Sequence, residues 1–362
     1  MSAGLRRAIG LMSGTSLDGI DVAFLETDGR SQVRPGPALT VPYEPGMRAR
    51  LRSVLGGQGP TADVERELTD AHTAAVRAFL ARHELGRIDV VGLHGHTILH
   101  RPREGRTWQI GDGARLARAL GLDVVADFRA ADVAAGGEGA PLAPVFHAGL
   151  ATGLERPLAV LNLGGVGNVT WLGEDESEML AFDTGPGNAL IDDWALRHTG
   201  SPVDRDGALA RAGRVDEQAV ATFLAHPFLA RRPPKSLDRD DFRAFMPDGL
   251  SPADGAATLT AMTAAAVAAA RSHFPAPPRR WLVTGGGRHN PALMEALLRA
   301  LAAPVEAVEH VGWDGDALEA QAFAYLAVRS LDGLPLSFPG TTGVPVPTRG
   351  GRLFRAAELT ER

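Results

Sequence analysis

Apolar and polar positions along the chain repeat one plan. Residues 9–12 and 20–25 are apolar runs on either side of a small polar turn, Ser13-Gly14-Thr15-Ser16-Leu17-Asp18-Gly19. Runs this short beside Gly-rich turns predict the two strands of a β-hairpin. The plan recurs at 159–163 and 169–172, across the turn Gly164-Gly165-Val166-Gly167-Asn168. The second hairpin starts about 150 residues after the first, roughly one domain length. Between them, 32–43 alternates loosely and predicts a further strand. Residues 63–83 space Val64, Leu68, Ala71, Ala75, Ala78 and Phe79 along one helical face. Residues 88–93 predict a buried strand ending at His94-Gly95-His96-Thr97. A strand at 107–110, a helix at 114–120 and a strand at 124–128 follow. The second half predicts helices at 189–198 and 256–273, then a strand at 281–284 entering Gly285-Gly286-Gly287. The next helix has Asn290 as N-cap and Pro291 at its first position. The last strong helix is expected at 317–328. Strands alternating with helices mean an α/β fold with buried parallel strands.

Residues 134–141 are too Gly-rich for an element interior. They set the expected boundary between a first domain, 1–140, rejoined by the Pro/Gly-rich tail 335–362, and a second domain, 141–334. A length of 362 residues suits two cores. Composition is that of an ordinary soluble protein, 44% hydrophobic and 22% charged. A net charge of −6 argues against a nucleic-acid partner. The absence of cysteine excludes disulfides and zinc–thiolate sites, and fits a cytoplasmic protein. No membrane span is expected, because the weakly polar stretch 259–270 is too short. Arg6-Arg7 begins like a signal peptide, but Ser13-Gly14 and Asp18 interrupt the apolar run.

The first turn carries what a phosphate cradle needs. Gly14 and Gly19 let the backbone approach an anion, while Ser13, Thr15 and Ser16 add hydroxyl donors. Asp18 offers a hard oxygen ligand for a hydrated cation. No GxxxxGK[ST] run occurs, and Gly285-Gly286-Gly287 lacks dinucleotide-fingerprint spacing. One Gly-rich hairpin per half instead resembles the actin, Hsp70 and sugar-kinase superfamily. That resemblance implies a two-domain actin-like, duplicated ribonuclease-H-like ATPase fold with an interdomain active-site cleft.

The resemblance narrows on eight segments: MSGTSLDGID at 12–21, HGHT at 94–97, QIGDG at 109–113, ADFRAADVAAGGEGAPLAPVFH at 126–147, NLGGVGNVT at 162–170, FDTGPGN at 182–188, GGGRHNPAL at 285–293 and GWDGDALEAQAFAYLAVR at 312–329. In this order, across nearly the whole chain, they resemble the 1,6-anhydro-N-acetylmuramic acid kinases. Departures from the common pattern are His96 and Glu138 where Gln is usual, Leu237-Asp238 for Thr-Gly, and Ser337 for Asn. The resemblance implies an enzyme of cell-wall recycling that hydrolyses the 1,6-anhydro bond and places the γ-phosphoryl of ATP on O6. It implies Asp183 as general base and Glu319 as a sugar-site residue that helps hold the water. Gly14, Thr15, Ser16, Leu17, Asp18, Gly19, Ile20 and Asp21 would wrap the phosphates, with Asp18 near Mg²⁺. Gly164, Gly165 and Asn168 would close on the phosphates, and Gly285, Gly286, Gly287 and Asn290 would line the adenosine. Thr97 and Arg129 would contact the sugar; relatives imply a homodimer. His94, His96, His100 and His147 lack a carboxylate at ligand spacing and read as loop histidines. Two rival readings stay open: a superfamily kinase for another sugar or acid, and a non-enzymatic ATP switch.

Overall fold

The computed structural model describes residues 4–14, 17–175 and 178–359. Thr15 and Ser16 of the first turn therefore lie outside the described residues. The chain divides into two compact units, 1–153 with 317–362, and 154–316.

In the first unit, β1 (Arg6–Ser13), β2 (Gly19–Thr27) and β3 (Val33–Pro42) form an antiparallel meander. The other edge of β1 takes β4 (Val90–Arg101) in parallel. The outer part of β4 folds back antiparallel onto β5 (Arg106–Ile110), while its inner part pairs in parallel with β6 (Val124–Ala126). The sheet thus runs β3-β2-β1-β4-β6. Strand β4 runs on well past the expected end at His94. Gly95, at φ +76°, sits where the β1–β4 register shifts, so the strand bulges and then resumes.

In the second unit, β7 (Leu158–Leu163), β8 (Val166–Leu172) and β9 (Met179–Pro186) repeat the antiparallel meander. Strand β10 (Arg280–Thr284) joins β7 in parallel, and β11 (Val305–Ala307) joins β10 in parallel. The order β9-β8-β7-β10-β11 is that of the first unit, pair for pair and direction for direction. Both sheets are mixed, because each opens with a hairpin before its parallel strands. The tail returns to the first unit, where β12 (Arg352–Phe354) pairs antiparallel with β6.

The expected boundaries shift for a packing reason. The helix Leu318–Leu331 was expected in the second domain, yet it lies on the first sheet. Gly10 and Gly92 let it: a Cβ on either would overlap the Ala320 or Phe323 carbonyl. The opposite sheet face presents Ile9, Leu11, Val91 and Leu93 to Val64, Leu68, Val76 and Phe79 of the helix Thr61–Arg82. The Gly-rich segment expected to end the domain at 140 stays in the first unit. Asp132 holds it, accepting from Gly139 N at 2.6 Å and from Thr342 Oγ1 of the tail at 2.6 Å.

One exclusion from sequence needs correcting. Residues 252–273 form a helix, Pro252–Ala270 with one further turn, that is long and apolar enough to cross a membrane. Two-thirds of its most apolar window is buried in the second unit's core, beside Trp194, Phe223 and Leu293. Its apolar surface is therefore already spent on packing.

Candidate active site

In the first unit the candidate residues Arg129 and Glu319 gather, with His94, on the sheet face that carries the helix Leu318–Leu331. His94 points to that face and meets the Phe323 ring, with centroids 4.5 Å apart. Its Nδ1 lies 2.9 Å from the Gly95 carbonyl, which can only accept, so Nδ1 carries the proton. Nε2 is then a bare acceptor for Arg129, from Nε at 3.1 Å and Nη2 at 3.0 Å. Arg129 Nη1 donates to the Gly139 carbonyl at 2.8 Å. Burial and the Arg129 charge hold the His94 pKa well below the usual value, consistent with a neutral acceptor. Three of the five guanidinium hydrogens are thus used by the protein, which leaves two for a ligand.

Glu319 enters from the first turn of the helix Leu318–Leu331. Crowding by protein raises its pKa, the Asp21 charge raises it further, and Arg129 lowers it. The side chain is open to solvent, so this is crowding at an accessible surface and not a sealed core. Thr97 heads a polar row on β4 and β5: Gln109 Nε2 donates to Thr97 Oγ1 at 3.1 Å and to Thr107 Oγ1 at 2.9 Å, and His100 Nδ1 lies 3.0 Å from Thr107 Oγ1. Three sequence-predicted residues, Asp21, Arg129 and Glu319, thus share one electrostatic neighbourhood.

The first hairpin turn is held at both ends. Ser13 Oγ lies 2.6 Å from Tyr43 Oη and 2.9 Å from His96 Nδ1. Tyr43 N donates to the Asp18 carbonyl at 3.0 Å, and Leu17 N to Gly14 O at 3.1 Å. Leu17 adopts φ +61°, a left-handed conformation that a Leu rarely takes. Asp18 is exposed, whereas Gly19 and Ile20 are buried in β2. Tyr43 carried no sequence signal, because its partners, Ser13 on β1 and the Asp18 carbonyl in the turn, lie 25 or more residues away.

In the second unit, three Gly-rich segments pack on one another at the end of β7. Asn188 N donates to Gly164 O at 2.7 Å and Gly187 N to Gly165 O at 3.0 Å. Asn188 Nδ2 adds a bond to Leu163 O at 2.8 Å. A Cβ on Gly287 would press on Leu163, and one on Gly285, at φ +77°, on Asn162 and Leu163. Gly164, Gly165, Gly285, Gly286 and Gly287 are therefore neighbours, with Asn168 opposite Asp183 in the β8–β9 register. Asn290 spends its Oδ1 on the helix Pro291–Leu301, accepting from Ala292 N at 3.0 Å and Leu293 N at 3.2 Å.

Asp183 sits on β9, the edge strand of its sheet. Its N–H donates to Lys235 O at 3.1 Å, and its Oδ2 accepts from Leu237 N at 2.8 Å. Asn188, Lys235 and Leu237 were given no site role from sequence, although Leu237 stood out as a departure from the family pattern. Asn188 lies within the quoted FDTGPGN segment; the other two act largely through main-chain groups, which any sequence supplies.

Two mixed sheets of identical strand order, each led by a Gly-rich hairpin, define a duplicated actin-like α/β protein. The sequence profile of the anhydro-N-acetylmuramic acid kinase family matches residues 6–356. An anhydro-N-acetylmuramic acid kinase of Paramagnetospirillum magneticum is 64% identical over 350 residues, covering 95% of this chain and 98% of its own. One from Rhodospirillum rubrum is 58% identical over 357 residues, covering 97% and 95%. Among solved structures, a xylulose kinase of Lactobacillus acidophilus gives a TM-score of 0.47 at 9% identity, covering 98% of this chain and 96% of that one. The chain belongs to the anhydro-N-acetylmuramic acid kinase family and is a carbohydrate-kinase phosphotransferase.

Proposed function

We propose that the chain opens the 1,6-anhydro ring of 1,6-anhydro-N-acetylmuramic acid with water and phosphorylates O6 from ATP, as a cytoplasmic step in recycling cell-wall fragments. Asp183 takes a proton from water as the water oxygen attacks C1. The C1–O6 bond breaks, and its electron pair leaves on O6. O6 then attacks the γ-phosphorus, the bond to the bridging oxygen breaks, and ADP departs. Water supplies the C1 hydroxyl, Asp183 holds the proton, and no further co-reactant is needed. Attack opposite the leaving oxygen is the geometry of an inverting glycosidase. Glu319 helps hold the water, Arg129 and Thr97 orient the sugar, and Gly14–Asp21 with Gly164, Gly165 and Asn168 receive the phosphates. Gly285, Gly286, Gly287 and Asn290 line the adenosine, and two copies of the chain form a homodimer.

Mg²⁺ fits this reading. It keeps several waters and needs one or two carboxylates beside the substrate phosphates, which the exposed Asp18 can supply. When bound it neutralises charge on the transferring group. Among the described residues no three His, Asp or Glu side chains form a closed cage, so the ion would depend on the nucleotide.

The observation that carries the reading is the Asp183 carboxylate, fixed on an edge strand beside the second hairpin by the Leu237 N–H. In ¹⁸O-water the sugar product should carry label at C1 and none in the phosphate. Asp183→Asn should abolish ring opening and phosphorylation together while ATP binding persists, because the amide is far too weak a base. Label in the phosphate, or ring opening by the Asn variant, would remove Asp183 from this role.

A further inference from the structure

Lys235 is 3% exposed, an unusual place for an ammonium. Its Nζ donates to the carbonyls of Phe228 at 3.2 Å and Leu229 at 3.1 Å, in the short helix Pro227–Ala230. The third contact is His273 Nε2 at 3.5 Å. That same Nε2 lies 3.3 Å from the Leu229 carbonyl, so His273 and Lys235 converge on one acceptor. The charge also lies over the Phe228 ring at 4.7 Å and the Phe182 ring at 5.3 Å. Two carbonyls and two ring faces thus hold the side chain at its tip.

Its main chain is tied to Asp183. Lys235 O takes the Asp183 N–H, and two residues on, Leu237 N grips Asp183 Oδ2. A strap of three residues thus lies along the open edge of β9. Few other bonds hold it: no regular element covers 231–238. The buried Nζ is its anchor, and Asp183 is what it grips.

We propose that Lys235 is a positioning residue for Asp183: its anchored side chain fixes the strap that aims the Asp183 carboxylate, and its charge is coupled to that carboxylate. This rests on Asp183 being the general base. The charged and titratable groups around Lys235 are Arg231, Asp183 and His273, with Arg232 acting on His273. Burial and Arg231 lower the Lys235 pKa to about 8, while Asp183 raises it. A neutral Lys235 would still give two hydrogens to the carbonyls and accept from a His273 Nε2–H. The strap therefore survives deprotonation, and only the charge beside Asp183 is lost.

The test is steady-state kinetics of the full chain with ATP and the anhydro-sugar, as a function of pH. Lys235→Met keeps the stem and removes the charge and its donors. It should lower kcat by about 100-fold, the cost of a small misplacement of a reacting group. The KM for ATP should stay near wild type. The acid limb of kcat/KM for the sugar should move to higher pH, because the opposite charge coupled to Asp183 is gone. A residue with a purely structural role would leave that limb in place. Lys235→Arg retains the charge and should hold the limb at its wild-type position, which keeps the test decisive if the Met variant folds poorly. Wild-type kcat and an unmoved acid limb in Lys235→Met would overturn the proposal. Asp183→Asn is measured alongside: if it stays active, the general-base reading fails, and if it is inactive while Lys235→Met is normal, only the role of Lys235 fails.

Discussion

Single residues here are set by which face of a strand they occupy. His94 and His96 are two apart and would share a face in a regular strand. The bulge at Gly95 separates them: His94 turns to Arg129 and His96 to Ser13. His96 then lies within electrostatic reach of His72, a buried residue of the helix Thr61–Arg82. His72 Nδ1 lies 2.8 Å from the Leu68 carbonyl and must donate to it. Burial pushes the pKa values of His72, His96 and His147 down to about 4. The unfolded chain protonates these groups first, near 6.5, so their contribution to stability is full above that pH and is lost as pH falls towards 4. Each costs about 1.4 kcal/mol per pH unit in that window. Asp192 runs the other way: burial, Asp193 and Asp204 raise its pKa to about 7 against a smaller lowering by Arg239. Glu319 is raised as well, but His94 and His273 are also lowered, so two carboxyls against five imidazoles leave a net acid loss. Urea unfolding at pH 7 and pH 5 should show it, and His96→Gln, which does not titrate and can accept from Ser13, should lose less. Equal acid sensitivity in the two proteins would count against the assignment. Arg129→Ala should weaken sugar use by roughly ten- to a hundredfold, the worth of a charge-assisted bond, with ATP binding little changed. Comparable losses for both ligands would make Arg129 a scaffold residue.

At the scale of elements, the Leu318–Leu331 helix depends on two glycines. Its backbone lies so close to β1 and β4 that any side chain at Gly10 or Gly92 enters a helix carbonyl. Gly10→Ala should destabilise the chain by about 3 kcal/mol, at the upper end for overpacking because backbone must move. It should also lower sugar turnover, since Glu319 rides on the displaced helix. Gly46→Ala, in the helix Pro45–Ser53, meets nothing within 4 Å and should be neutral or stabilise by up to about 1 kcal/mol. Thermal unfolding of the two variants compares them directly; a harmless Gly10→Ala would mean that the helix packs farther out. The elements were largely legible beforehand. Both hairpins, the helix Thr61–Arg82 and the Asn290 cap follow from apolar spacing and capping chemistry, which act over a few residues. The far half of β4 was not legible, because its pairing with β5 is decided by a bulge that leaves no apolar pattern.

For the whole molecule, the second unit is one continuous stretch and the first is assembled from two. Each has its own core of buried residues. Residues 154–316 expressed alone should fold, with a cooperative unfolding transition and dispersed amide resonances. A chain ending at Asp316 lacks the helix that covers β1, β2 and β4, so its first unit should fail to fold while its second persists. A single cooperative transition lost entirely in both fragments would contradict two separate cores. The sequence by itself determined the duplicated hairpins, the α/β class, the family and most residues proposed for the site, because glycine turns, apolar periodicity and linear motifs are local properties of the chain. Only the tertiary structure decided which unit owns the Leu318–Leu331 helix, that His96 joins Ser13 and Tyr43, and that Lys235 and Leu237 hold Asp183. Those depend on close approach between segments far apart in sequence, and on main-chain groups that are the same at every position until the fold chooses their partners.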